Sequence, residues 1–300
     1  MSTIASMIDD SRTLRLVWPQ WQGGESHMVA ELMPEFPVEQ ARRGYAVGSR
    51  VLDAILPEHS GPTIHVPVSL SDPTEGVING IESRSDVLES LGTALDLLAD
   101  ADFDRVLTLG GECSVSVAPF ARLAKMYGDD LAVIWIDSHP DVDTPETDYD
   151  GYHAMAVTTL TGHGDKEIVD MLPATIATDH VALTGLHDWT EDAYAHVGQW
   201  GISAFAPDDL RQSAEPLIKW LSNIGASKVA VHIDVDAIDS NDAKLGLARV
   251  PNGLTRADAH NIINEVSQGF DIVGLTVAEF IPRSVLSIQQ MLNGLPLIGV

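Results

Sequence analysis

Two stretches, AVIWID at 132–137 and VAVHID at 229–234, constrain the chain more than anything else in it. Each is apolar nearly throughout and ends on an aspartate, whereas a strand with one face in water would alternate apolar and polar residues. Strands covered on both faces belong to parallel sheets packed between helices. Further β-rich runs recur along the sequence, and the reading predicts strands at 13–18, 63–68, 105–109, 131–137, 180–186, 201–206, 228–236 and 271–280. Amphipathic helical patterns lie between them. The segment 85–100 sets Val87, Leu88, Leu91, Ala94, Leu95 and Leu98 on one helical face, with Ser85 and Asp86 at its start. Segments 114–127, 213–223, 255–267 and 284–293 read the same way, Thr255 serving as a cap with Asp258 three residues on. The expected fold class is α/β, with eight mainly parallel strands, arranged as one domain over residues 1–300. No Pro/Gly/Ser-rich linker, internal repeat or low-complexity tract divides it.

Composition narrows the function classes. With 17 Lys and Arg against 44 Asp and Glu, the formal charge is −27, which argues against nucleic acid as a partner. The first twenty residues lack a basic segment followed by an apolar one, and the longest apolar runs are far short of a membrane span. The expectation is a cytoplasmic protein without a membrane partner. A single cysteine, Cys113, excludes an internal disulfide and fits a reducing compartment.

In open parallel sheets ligands bind beyond the carboxyl ends of the strands, and the chemistry-bearing residues cluster there. DSHPDVD follows one strand with Asp137, His139, Asp141 and Asp143; HIDVDAID ends another with Asp234, Asp236 and then Asp239. Residues two apart in an extended segment project to one side, so these side chains can converge. Two unit charges about 4 Å apart cost roughly 4 kcal/mol at an effective dielectric near 20. Several carboxylates on adjoining strand ends therefore call for cations between them, and a pair of divalent metals is the simplest answer. Oxygen donors with one imidazole suit Mn²⁺. Alone, the DxD pair would read equally well as a capping or structural feature, and DxHxD after an apolar strand is the rarer and more telling pattern; their joint occurrence points to metal.

In order and separation, GGECS (110–114), IDSHPDVDTPE and HIDVDAID resemble the three metal motifs of the ureohydrolases, the arginase and agmatinase superfamily. The resemblance runs to LTVAEF at 275–280 and covers essentially the whole chain. It implies a three-layer α/β/α arginase-like domain around an eight-stranded sheet, and hydrolysis of a small guanidino compound to urea and an amine. It implies two Mn²⁺ per chain, with Asp137 and Asp234 bridging, Cys113 and Asp141 completing one position, and His139 and Asp236 the other. His153 matches the family histidine that moves protons, and Glu279 the glutamate that pairs with the substrate guanidinium. Taken alone, His153 would be an ordinary loop histidine and Glu279 a buried ion-pair partner. His163, His187, His196 and His232 match nothing in the motifs and read as structural, and Asp239 as a turn residue. Trimers or hexamers are the assemblies implied.

Two departures from the family pattern stand out. Most members carry aspartate and histidine where this chain has Glu112 and Cys113. Forming a thiolate at pH 7 from a thiol of pKa about 8.5 costs roughly 2 kcal/mol, and Mn²⁺ gains little from sulfur. The expectation is a weak or empty position on that side, or one better suited to Zn²⁺. Second, arginases usually carry asparagine where Asp143 stands. The loop from Asp143 to His153 also holds Glu146, Asp148 and Asp150, a set that would repel a substrate carboxylate and favour a guanidino-amine such as agmatine. A branch acting on hydroxyarginine uses cysteine at the ligand position, which argues the other way. Asp143, Asp150 and Glu279 are thus the candidate substrate contacts; His153, Glu279 and Asp141 the candidate catalytic groups. The alternative reading is a metal-poor, catalytically weak or inactive arginase-fold protein that binds a ligand; a single-metal deacetylase of the same fold is a third.

Overall fold

The computed structural model describes residues 10–299. Eight parallel strands form one sheet: β1 (Thr13–Trp18), β2 (Thr63–His65), β5 (Arg105–Gly110), β6 (Leu131–Ile136), β7 (Val181–Thr184), β8 (Ser203–Phe205), β9 (Lys228–Asp234) and β10 (Asp271–Ala278). Two short antiparallel strands, β3 (Val77–Ile78) and β4 (Ile81–Glu82), stand apart. The order across the sheet is β2-β1-β5-β10-β9-β6-β7-β8, so β5, β10, β9 and β6 are its centre. All its pairings are parallel, which brings the carboxyl ends of those four strands to one edge.

Alternation within the strands shows why the sheet is covered on both faces. Val106, Val133, Trp135 and Leu183 enter one apolar core, packed by Val87, Leu91, Ala94 and Leu98 of helix 84–99 and by Phe120 and Leu123 of helix 117–127. Their neighbours Leu107, Ile134, Ile136 and Ala182 enter another, with Leu52 of helix 44–55, Leu217 and Leu221 of 215–224, Ile262 and Ile263 of 256–267, and Ile288 of 285–292. The architecture is therefore a three-layer α/β/α arrangement around an eight-stranded sheet, with all eight expected strands present.

Element ends differ from the periodicity reading for local reasons. β9 stops at Asp234 rather than 236 because the Asp234 carboxylate accepts the Asp236 N–H and folds Val235–Ala237 into a 3₁₀ turn. Helix 84–99 begins after Ser83, so Ser85 and Asp86 lie in its first turn. Thr255 caps its helix as expected: its hydroxyl accepts the Asp258 N–H, and Asp258 returns a bond from the Thr255 N–H. Helix 44–55 was not anticipated, its pattern being broken by Gly44 and Gly48. A side chain at Gly48 would place a Cβ 1.6 Å from the Phe280 carbonyl oxygen, so this glycine allows the helix to lie against the end of β10. Among the described residues no helix is long and apolar enough to cross a membrane.

Candidate metal centre

The thiol is placed by the turn that leaves β5. A Cβ on Gly111 would lie 1.6 Å from the Gln20 carbonyl oxygen, and only glycine permits that approach. Glu112 then folds back, its two oxygens accepting the Ser114 N–H and hydroxyl, each at 2.7 Å, which starts a 3₁₀ turn at Cys113. Cys113 is 1% exposed. Its Sγ lies 3.1 Å from Asp234 Oδ2 and 3.9 Å from Asp137 Oδ2. Burial, reinforced by Asp234 and the other acids, raises the thiol well above its ordinary value. Without a cation the sulfur stays protonated and donates to Asp234.

The end of β6 supplies the next groups. Asp137 Oδ1 accepts the His139 N–H at 2.7 Å and Oδ2 accepts Trp135 Nε1–H at 3.1 Å. His139 Nδ1 lies 3.2 Å from Asp236 Oδ2 and 3.5 Å from Asp137 Oδ1, while Nε2 faces Asp188 at 3.6 Å. Burial alone would lower this imidazole, but Asp236 and its other acidic neighbours raise it well above normal. The same contact acts in reverse on Asp236: burial opposes its charge, yet His139 and the Ser138 hydroxyl at 2.6 Å hold it down at about 2. Asp137, by contrast, is pushed up to about 6 by burial and by Asp236. Asp141 and Asp234 are raised further for the same reasons, burial first and neighbouring carboxylates second.

Asp141 adopts a left-handed φ of 49° and Glu279 one of 62°, uncommon for side-chain-bearing residues. Both are pinned: the Asp141 carbonyl accepts the Val157 N–H at 3.0 Å, and the Glu279 N–H donates to the Gly111 carbonyl at 2.7 Å. Glu279, at the end of β10, turns Oε1 toward His153 Nδ1 at 3.3 Å and accepts the Cys113 N–H at 3.3 Å. His153 Nε2 contacts the Tyr149 hydroxyl at 2.6 Å. Burial opposes protonation of His153, but Glu279 outweighs it and the imidazole is raised.

Three donor groups each lie within 4.8 Å: Asp137–His139–Asp236, Cys113–Asp137–His232 and Cys113–His153–Glu279. Asp141 enters none of them, yet its buried Oδ2 has no hydrogen-bond partner. A crowd of buried acids, three of them with their proton affinity raised by burial and by one another and one oxygen orphaned, suits divalent cations. The loop acids divide. Asp143 is buried, pushed up to about 6 by desolvation, and its N–H bonds the Ala154 carbonyl at 2.9 Å. Glu146 and Asp148 are exposed; Asp150 is half-buried and accepts the Glu82 N–H through its carbonyl.

Sequence reasoning overlooked several neighbours. Asp188 and Tyr45, the latter raised by burial and by Glu279, reach the cluster through tertiary folding, while Tyr149 lies four residues before His153 on the same loop. His232 had a usable signal, since it sits two residues before Asp234 on the same side of β9.

Similarity to known proteins agrees with this geometry. The model of the Arginase family matches residues 58–289. Staphylococcus aureus (strain MRSA252) arginase is 28% identical over 182 residues, 59% of this chain and 60% of that protein, so the match spans about three-fifths of the curated relative. The crystal structure of Bacillus cereus arginase superposes with a TM-score of 0.76 at 18% identity, over 96% of this chain and 98% of that one. Bacillus subtilis formimidoylglutamase gives 0.66 at 16% identity, over 93% and 84%. The match over residues 58–289 includes every strand end that carries the cluster, and the chain belongs to the arginase family.

Proposed function

We propose that this chain is a binuclear metal amidinohydrolase acting on a small guanidino compound, working as one domain over residues 1–300. One observation carries the reading: Cys113, Asp137, Asp234 and Glu279 emerge from the ends of four adjacent parallel strands, with His139, Asp141 and Asp236 among them. Asp137, Asp234, Asp236, His139, Asp141 and Cys113 are the groups that would hold two divalent cations. When bound, the pair supplies an acidified water and neutralises charge that develops in the reaction.

The remaining steps belong to the protein. Glu279, fixed by its own backbone bond, offers a carboxylate to a planar guanidinium through charge-assisted hydrogen bonds. His153, its proton affinity raised by Glu279, is the group positioned to hand a proton to the leaving amine. Asp143 and Asp150, on the loop between cluster and His153, are the acids available to a substrate's far end. Their charge favours a guanidino-amine such as agmatine over arginine. Mn²⁺ is the cation the oxygen-rich side favours; Zn²⁺ suits the sulfur side.

The test combines elemental analysis with a urea assay on agmatine, arginine, hydroxyarginine and guanidinobutyrate, plus formimidoylglutamate assayed by its own product. Two metals per chain at saturation and turnover of one panel member are expected. No turnover of any of them with saturating Mn²⁺ at alkaline pH would overturn the reading and favour a metal-poor ligand-binding protein.

A further inference from the structure

His232 has no counterpart among the groups assigned above, yet it is fully buried in a row of residues directly beneath the cluster. It pairs with Trp135 across β9 and β6 and stacks on it, ring centroids 3.6 Å apart and planes 9° from parallel. Two residues toward the carboxyl ends, on the same side of those strands, stand Asp234 and Asp137. The Ser116 hydroxyl, on the 3₁₀ turn that begins at Cys113, contacts His232 Nδ1 at 2.8 Å. The other nitrogen, Nε2, is buried without a hydrogen-bond partner. A buried nitrogen without a partner is unfavourable, and a cation would satisfy it.

The geometry points to a sulfur-side metal position one layer deeper in the sheet than the strand ends, held by Cys113 Sγ, Asp137 and His232, and selective for Zn²⁺ or Co²⁺ over Mn²⁺. A ligand atom from each of the three residues lies within 4.8 Å of the others, and tetrahedral coordination needs them about 3.5 Å apart. The approach is small. In the tautomer whose Nδ1–H donates to the Ser116 hydroxyl, Nε2 carries the lone pair for a metal, the usual arrangement around a metal-bound imidazole. Trp135 clamps the ring by stacking and donates its indole N–H to Asp137. A thiolate and an imidazole beside one carboxylate form a mixed S/N/O donor set of the kind Zn²⁺ takes, and the sulfur disfavours Mn²⁺. On binding, the Cys113 proton leaves to solvent and the sulfur joins the cation as thiolate. His232 thus returns an imidazole to a position that carries cysteine at 113, and this inference rests on the two-metal reading above.

The test is spectroscopic. Metal-stripped protein is titrated with Co²⁺, reading the thiolate-to-cobalt charge-transfer band in the near ultraviolet and the visible bands whose intensity reports four-coordination. The first equivalent in the wild type should give both, and Cys113→Ala should lose the charge-transfer band. His232→Asn should lower first-site Co²⁺ affinity at least about 100-fold, because losing even a hydrogen-bond partner of a ligand costs about 10–100-fold. Ser116→Ala, a milder change, should weaken it about 10-fold. Zinc K-edge absorption on the wild type with one equivalent of Zn²⁺ covers the case in which His232→Asn fails to fold: sulfur and imidazole scattering should come from one metal. A charge-transfer band unchanged in affinity and shape in a folded His232→Asn, or zinc bound to sulfur without imidazole, overturns this inference alone. No cobalt binding at all overturns the two-metal reading with it.

Discussion

Replacing Cys113 by histidine removes the step that most opposes a cation, ionisation of a buried thiol among carboxylates. At pH 7 that step costs at least about 2 kcal/mol. Cys113→His should therefore tighten Mn²⁺ binding at that position by about 30-fold or more, measured by calorimetric titration of stripped protein. Glu279→Gln keeps the shape of the side chain while removing the charge that faces His153 and the guanidinium. Loss of a charge-assisted contact costs about 1.5–3 kcal/mol, so kcat/KM should fall by about 100-fold, with the His153-dependent limb of the pH–rate profile shifted to lower pH. Urea assays across pH check both parts. Single residues of the cluster were legible because closely spaced acids beyond an apolar run share one strand end; turns, Val235–Ala237 in 3₁₀ form and Asp141 at a left-handed φ, set how they come together. Asp188 carries no such spacing and is brought to His139 by another loop; Tyr149 lies four residues before His153 on the same loop, with no motif to single it out.

At the scale of elements, the turn at Gly111 converts a strand end into a site. Gly111→Ala would drive a methyl into the Gln20 carbonyl, and the turn would have to open. The expected cost is about 3 kcal/mol, read as a fall of several degrees in melting temperature, together with weakened binding of the sulfur-side metal. Thr255→Ala, which removes one half of the cap on helix 256–267, should cost about 1 kcal/mol in denaturant unfolding and leave metal binding unchanged. The contrast separates structure that builds the site from structure that merely supports it. The six inner strands were legible because doubly covered strands must be apolar on both sides; the edge strands β2 and β8 are partly exposed and were read from their β-rich composition. Helix 44–55 was not, since its glycines weaken local helical preference and are explained only by a strand end lying against them.

For the molecule as a whole, buried acids set the pH response. Glu112 is raised to about 7 by burial, and Asp141, Asp234, His139 and His153 are also raised. A group whose folded pKa lies above its unfolded one binds more protons in the folded state, so its stabilisation is lost as pH rises through the folded value. His232, lowered to about 3, works in the opposite sense, but only below the ordinary imidazole value of about 6.5. Metal-free protein should therefore lose stability between about pH 6.5 and 8, and saturating Zn²⁺ should reverse the trend by replacing the protons. Denaturant melts across that window, with and without metal, check the sign. Local residue order carries the α/β class, the parallel sheet and the carboxylate pairs, because two-sided burial and close spacing beyond an apolar run are visible in it. Packing alone sets which strands adjoin, that Glu279 faces His153, and that His232 lies beneath Cys113 with a free nitrogen. Those facts depend on contacts between segments distant in the chain, where no local pattern records the partner.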